Sequence, residues 1–413
     1  MSAHEMGNTG PLSRRGFLGQ SAALALAAGT AGCSSNSKQP PKLGILKGGE
    51  DSNAKGGGDN PIQGQGRFRD SQPAISYAEG MAAVRKFRKD HVPKLMPDSP
   101  VHRVQFMTVG GDENGDGTGT FIEVIAVDAK VELPQTFSYR PPGGKDDKTV
   151  PVKLTIRDPA VPQVRLGHPA RVSTLPSTAN GTAGWNICAV IRGVEKVVCM
   201  TARHALCANF FTPVLNLTVL LNDQPWGKVE RVEDIDPASG SNMFDLGLAR
   251  YNNPELVAEG AEKLNRQCQA GYPQGSSPYG YPMSIKPASN VATGQAYHKV
   301  GAASPICNEG GLNHYLDAYC DVSVPYMNGA VQQYVSFTGC LVFGALCKPG
   351  DSGAVLADNT DWSALGLHFA GTPGTDSVSC PLFNLNWTRD PNNYNLFVPS
   401  TGKTRIIPRF VLP

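Results

Sequence analysis

Residues 346–356 read LCKPGDSGAVL, and the serine at position 352 decides how the whole chain is read. The run lies between two apolar stretches, YVSFTGCLVFGAL (334–346) and AVL (354–356). Gly and Asp are common turn formers, so the letters GDSG taken alone describe an ordinary turn. A nucleophilic Ser352 would need a base to take its proton and an acid to orient that base.

Eight histidines could supply the base. His204 stands out because it follows an apolar run in VVCMTARHAL (197–206), at the edge of a predicted strand from which a ring could reach across a cleft. A lone histidine there is equally compatible with a structural role. For the acid, Asp245 opens the apolar run DLGLARY (245–251). A carboxylate at the head of a buried strand is costly unless it is hydrogen-bonded, and an imidazole N–H would meet that need. Asp234, Asp236 and Asp351 compete, but none heads such a strand.

Taken together, VVCMTARHAL, DLGLARY and KPGDSGAV (348–355) resemble the histidine, aspartate and nucleophile motifs of the chymotrypsin/trypsin-like serine peptidases, in the same order. The resemblance covers residues 176–413. It implies a mainly β fold, a double β-barrel with the site between the barrels. It also implies Ser352 as nucleophile, His204 as proton shuttle and Asp245 as the group that orients His204. The amides of Gly350 and Ser352 would form the oxyanion hole, with Asp351 structural. The implied partner is a protein or peptide substrate, with no cofactor and no metal.

Specificity residues are implied by the same likeness. Leu346 stands where trypsin-like members carry an Asp, so a pocket for Arg or Lys is not expected. In SALGLHFAG (363–371), strand alternation sets His368 opposite in facing to Leu365, Leu367 and Phe369. That segment resembles the GIH strand of glutamyl endopeptidases and viral chymotrypsin-like proteases, which implies Glu or Gln at P1. The substrate-binding set is then His368, Cys347, Leu346 and Gly371, with Cys347 where those enzymes carry a Ser or Thr. Two other functions stay open: a catalytically silent binding or scaffold protein on the same fold, and an esterase. The esterase reading lacks a GxSxG elbow and a βαβ rhythm.

The remainder of the chain sets the context. It has 413 residues, a net charge of +2, 40% hydrophobic residues, 46 Gly and 33 Pro. That balance suits a turn-rich β protein and gives no reason to expect nucleic acid. Residues 1–33 read as an export signal: SRRGFLG (13–19) and the short apolar run after it resemble a twin-arginine signal. TAGC (30–33) resembles a lipobox, with Thr30 in place of the usual Leu, so Cys33 is the expected lipid-bearing residue and the expected membrane contact. The expected location is the periplasm, the cell envelope or the exterior. No apolar run after residue 33 is long enough to span a bilayer.

Residues 34–73 are polar and rich in Gly, Ser and Asn, and read as a disordered tether. Residues 74–158 carry one helical pattern and three strand patterns, and resemble the small α/β domain that precedes the protease in some bacterial trypsin-like proteins. Residues 159–175 read as a proline-punctuated linker. DENGDGTGTFIE (112–123) matches an EF-hand loop at several positions, and equally a solvated hairpin tip. Ten cysteines without a CxxC pair argue against zinc and allow disulfides after export. The resemblance implies Cys188 with Cys207, Cys347 with Cys380, and Cys307 with Cys320 or Cys340, leaving Cys199 as the free thiol.

Overall fold

The computed structural model describes residues 74–109, 119–162, 171–174, 181–207, 215–221, 224–253, 282–299, 301, 314–328, 331–344, 348–358, 360–372, 375–398 and 402–413. The first described element is helix α1 (Tyr77–His91). Ser76 caps it by accepting the Glu79 N–H at 3.2 Å, and Arg88, Lys89 and His91 complement the dipole in its last turn. Tyr77, Gly80, Met81, Val84 and Phe87 recur every three or four residues and form its buried face. Gly80 is required there: a Cβ would run into the Tyr319 ring.

The strands that follow are β1 (Val101–Val109), β2 (Gly119–Ala126), β3 (Thr136–Tyr139), β4 (Lys148–Ile156), β5 (Val161–Pro162), β6 (Arg171–Thr174) and β7 (Gly181–Thr182). Next come β8 (Trp185–Ile191), β9 (Val194–Thr201), the single helical turn α2 (Arg203–Leu206), β10 (Thr218–Leu221), β11 (Gln224–Val232) and β12 (Gly247–Tyr251). The C-terminal part contains β13 (Ala296–Lys299), β14 (His314–Asn328), β15 (Val331–Gly344), β16 (Val355–Asp358), β17 (Ala364–Thr372), β18 (Asp376–Pro381), β19 (Thr388–Val398) and β20 (Lys403–Leu412).

Among the described residues these strands form two sheets, so the chain is mainly β and its organisation fits a double β-barrel of the chymotrypsin kind. One sheet runs β19-β20-β8-β9-β12-β11-β10-β6-β7; the other runs β13-β16-β17-β18-β15-β14-β1-β2-β4-β3, with β5 on β17. The C-terminal hairpin β19–β20 returns to the first sheet, where β20 lies parallel to β8. The two sheets meet at Asn242, which bridges to Phe337 and accepts the Thr338 N–H at 2.9 Å.

Two boundaries differ from the sequence expectation. The segment 74–158 does not stand apart: β1 pairs with β14 over Arg103–Met107, and α1 packs on the same core as Tyr297, Leu316, Tyr319, Leu341 and Phe343. The linker 159–175 contains β5 and β6, each built into a sheet. Local composition shows neither fact, because the partner strands lie far along the chain. The segment is also fixed by charge. Arg88 pairs with Asp321 at 2.7 Å, while Arg103 and Arg157 share Asp376 at 2.8 and 2.9 Å. Burial alone would raise the Asp376 carboxyl, but Arg103 and its hydrogen bonds outweigh that and hold it below the usual carboxylate range.

Residues 112–118 of the EF-hand-like loop lie outside the described residues. Glu123, its twelfth position, sits in β2 with its carboxylate engaged by Gln105 Nε2 and Thr155 Oγ1, both at 2.5 Å. No helix among the described residues is long and apolar enough to cross a membrane.

A chain that begins at Thr174 loses β1, one of the strands paired with β14, and three arginines of these ion pairs. It should show no cooperative thermal transition, where the full chain melts as one. In the full chain, Arg103→Met should cost on the order of 3–5 kcal/mol in urea unfolding, because it removes one partner of a buried pair.

Candidate active site

Antiparallel pairing places the C-terminal end of β9 beside the start of β12, with Thr201 opposite Gly247. The residues just outside that pairing, His204 in α2 and Asp245 before β12, are therefore neighbours. Asp245 Oδ1 accepts the His204 backbone N–H at 3.1 Å, and Oδ2 lies 2.5 Å from His204 Nδ1. Both side chains are buried. Two of the three competing aspartates are committed elsewhere: Asp236 holds its own turn by accepting the Ala238 N–H, and Asp351 pairs with Lys299.

A third donor reaches the same carboxylate. Tyr326, from β14 of the other sheet, donates its hydroxyl to Asp245 Oδ2 at 2.6 Å, and its ring lies 5.9 Å from the His204 ring. Burial acts to raise the Asp245 pKa, yet the His204 charge and the bonds from His204 and Tyr326 lower it below the usual value. The sequence reading missed Tyr326, since one tyrosine in a strand broken by Asp and Pro carries no signal.

Ser352 comes from the second sheet, in the turn that leads into β16. Glycines at positive φ bracket it: Gly350 at 108° and Gly353 at 95°. At Gly353 a Cβ would also collide with Thr201 Oγ1 and the Thr182 carbonyl, so the turn depends on glycine twice over. Thr182 fastens the turn to the first sheet: its N–H donates to the Ser352 carbonyl at 2.6 Å and its hydroxyl to the Gly350 carbonyl at 2.9 Å. Asp351 anchors it from below. Its Oδ2 accepts from Lys299 Nζ at 2.8 Å and from the Lys348 N–H at 2.9 Å, all but sealed from solvent. Removing one partner of such a pair strands a buried charge.

Ser352 Oγ donates to the Phe369 carbonyl at 3.0 Å. His204 Nε2 is buried and has no hydrogen-bond partner among the described residues. His204 and Asp245 are bonded to each other, while the Ser352 hydroxyl is turned toward β17 and the adjoining Gly353 lies against Ala202, two residues before His204. The backbone amides of Gly350 and Ser352, expected as oxyanion donors, lie on this same turn.

His368, on β17, is fully buried. Neither ring nitrogen has a well-formed hydrogen bond, with only a weak interaction with the Val378 backbone. Burial pushes its pKa down to about 3; Lys299 and His204 add to this and Asp351 opposes it. Its cross-strand partner is Ser379, whose hydroxyl is also buried without a partner, as is that of Ser377, opposite Gly371. The alternating serines of β18 were not foreseen as part of the site. Leu346, Cys347 and Cys33 lie outside the described residues.

The disulfide expectations are corrected. Cys188, Cys199, Cys207, Cys320, Cys340 and Cys380 are all free and buried. Cys188 faces Glu195 and Arg409, whereas Cys207 faces Arg203 and Asp245, so the two do not point at each other. Cys340 lies between Cys320 and Cys380 in the core of the second sheet. Cys268, Cys307 and Cys347 are outside the described residues.

No family model matches the chain, and no curated protein matches it. Solved structures do. Thermobifida fusca protease A is 15% identical, with a TM-score of 0.31, over 59% of this chain and 98% of that one. A Nocardiopsis protease is 13% identical, with a TM-score of 0.32, over 59% and 98%. A Cellulomonas bogoriensis chymotrypsin is 15% identical, with a TM-score of 0.29, over 52% and 91%. At these values the likeness carries no functional weight; the geometry of the site does.

The buried neutral His368 makes stability pH-dependent. Its folded pKa lies below that of a free imidazole, near 6.5, so the unfolded chain takes up the proton first. Stability is therefore full above about pH 6.5 and falls as pH drops toward 3. Between pH 7 and 5 this one group should remove about 2 kcal/mol. His368→Asn should lessen the wild-type loss by that amount in urea unfolding at the two pH values.

Proposed function

We propose that the chain is a serine endopeptidase that cleaves peptide bonds through an acyl-enzyme formed on Ser352. The observation that carries this is the buried Asp245 carboxylate bonded to His204 Nδ1, with Ser352 on a glycine-bracketed turn that packs at Gly353 against Ala202, two residues before His204. In this mechanism the Ser352 hydroxyl swings from the Phe369 carbonyl to His204 Nε2 when substrate arrives. His204 takes its proton as Oγ attacks the scissile carbonyl, and Asp245 holds the imidazole in the tautomer that can accept it. The Gly350 and Ser352 amides receive the oxyanion, typically worth about 3 kcal/mol per donor. His204 then protonates the leaving amine, and water releases the acyl group by the reverse steps. Tyr326 positions the Asp245 carboxylate and keeps it ionised.

The P1 preference follows from His368. Its ring, with the Ser377 and Ser379 hydroxyls, leaves several buried polar groups without strong partners on one face of β17 and β18. Such groups favour a P1 side chain that can bond to them, Glu or Gln. A bound carboxylate would draw a proton onto His368, so preference for Glu over Gln should strengthen as pH falls. Export by the twin-arginine route and lipid attachment at Cys33 belong to the same proposal and rest on the sequence alone. The silent-scaffold reading is disfavoured by the intact His204–Asp245 bond.

Hydrolysis of peptides varied only at P1 tests the proposal. Ser352→Ala and His204→Ala should each lower turnover on the order of 10⁶-fold without loss of fold. More than a tenth of wild-type activity in Ser352→Ala would refute the nucleophile. Tyr326→Phe keeps the ring and should lower kcat about 10- to 100-fold with little change in KM. Best cleavage after Leu, Phe or Arg, unchanged by His368→Ala, would refute the P1 assignment.

A further inference from the structure

Three cysteines stand side by side across the second sheet. Antiparallel pairing sets Cys320 of β14 directly opposite Cys340 of β15. On the other side of β15, Leu341 lies opposite Ser379 of β18, so the next step of that register sets Cys340 opposite Cys380. Residues opposed across antiparallel strands project to the same face, and all three cysteines are fully buried in one apolar cluster. The Cys340 thiol is hydrogen-bonded to the thiols of both neighbours. No disulfide joins them; all three are free.

Packing accounts for a small apolar side chain at each of these places, as Ala318, Val342 and Val378 supply elsewhere in the cluster. It does not account for three sulfurs in a contiguous row. The spacing suits a covalent bond. Opposed residues in an antiparallel pair stand about 4.5–5.5 Å apart at Cα, within the roughly 4.4–6.8 Å that a disulfide spans. Cys340 meets this condition toward both sides. Cys320 and Cys380 are two strands apart, about 9–10 Å, too far to bond to each other. The middle sulfur therefore has two partners and room for one bond.

We propose that Cys340 is the centre of a disulfide-exchange site: it bonds to Cys320 or to Cys380, and the third thiol of the row moves the bond from one partner to the other. This goes beyond the peptidase reading and does not depend on it. The oxidant is a small-molecule disulfide, R–S–S–R. Cys340 attacks it as the thiolate, forms Cys340–S–S–R and releases one R–SH, which carries the Cys340 proton. Cys320 or Cys380 then attacks the Cys340 sulfur and releases the second R–SH. Two protein thiols are oxidised, and one small disulfide is reduced to two thiols. Moving the bond needs no oxidant: Cys380 attacks the Cys340 sulfur of a Cys320–Cys340 bond, and Cys320 leaves with the proton. Because the row runs across the strands, the attacking, central and leaving sulfurs fall close to one line, as such a displacement requires. Burial holds the Cys340 thiol well above its ordinary range, so thiolate is scarce and exchange is slow once the chain is folded. The bond is therefore set while β14, β15 and β18 assemble. A Cys320–Cys340 bond staples β15 to the strand that brings Tyr326 to Asp245. A Cys340–Cys380 bond staples it instead to β18, the strand of Ser377 and Ser379.

Refolding of the full chain from urea in a mixture of oxidised and reduced glutathione tests this, with peptic mapping at acid pH to locate the bonds. The map should contain Cys320–Cys340 and Cys340–Cys380 peptides and no Cys320–Cys380 peptide. Cys320→Ala should leave only the Cys340–Cys380 bond, Cys380→Ala only the Cys320–Cys340 bond, and Cys340→Ala neither. The two bonds close loops of about 20 and 40 residues, so the oxidised chain should exceed the reduced one at least about 10-fold in its folding equilibrium constant in urea. The two isomers, separated at acid pH and returned to neutral buffer without oxidant, should each give the same mixture of both. A refolded wild-type chain with no bond within the row, a Cys320–Cys380 peptide, or Cys340 linked to a cysteine outside the row overturns the site. A single isomer in every refolded wild-type chain, or an isolated isomer that persists unchanged, overturns the exchange. The wild-type map decides the matter even where an alanine variant does not refold.

Discussion

The Asp245 carboxylate is the constraint around which the molecule is arranged. An ionised carboxylate sealed from water costs several kcal/mol unless its oxygens are hydrogen-bonded. The required donors come from both sheets: His204 from the first and Tyr326 from the second. The sheets therefore have to meet in one register at this point, and Thr182 and Asn242 fix that register on either side. The same arrangement orients His204, so the bonds that make Asp245 tolerable are also those a proton shuttle needs.

The N-terminal segment enters through this constraint. Tyr326 stands on β14, and β14 is flanked by β1 on one side and β15 on the other. Asp321 of the same strand is neutralised by Arg88 of α1 and accepts the Gly339 N–H at 3.0 Å. Helix α1 and strand β1 thus support the strand that delivers the hydroxyl to Asp245. A segment that reads as an accessory domain is, in the fold, part of the sheet and core that hold β14. Its exit reaches β17, where Val161 and Pro162 pair with Gly371 and Ala370.

How much could be read from the sequence depended on whether the signal was local. His204, Asp245 and Ser352 each sit next to a short apolar run, and β9, β12 and β16 were visible as such runs. Helix α1 was legible from the spacing of Met81, Val84, Phe87 and Val92. By contrast, β14 was not, because Asp317, Asp321 and Pro325 interrupt HYLDAYCDVSVPYMN; the buried Asp321 is tolerable only through Arg88, far along the chain. Tyr326 was lost with it. The pairing of β1 with β14 and of β5 with β17 is non-local, and no composition shift marks it. The cysteines misled for a different reason: their spacing suggests loops stapled in pairs, whereas six of them are buried thiols packed as small apolar side chains.

The most direct test of a working triad is intact-mass analysis after prolonged exposure of the full chain to a small organophosphorus fluoridate. The account predicts a single adduct, on Ser352, that is absent from His204→Ala, because the hydroxyl reacts only when His204 can take its proton. No adduct on the wild type, or an equal adduct on His204→Ala, would contradict it.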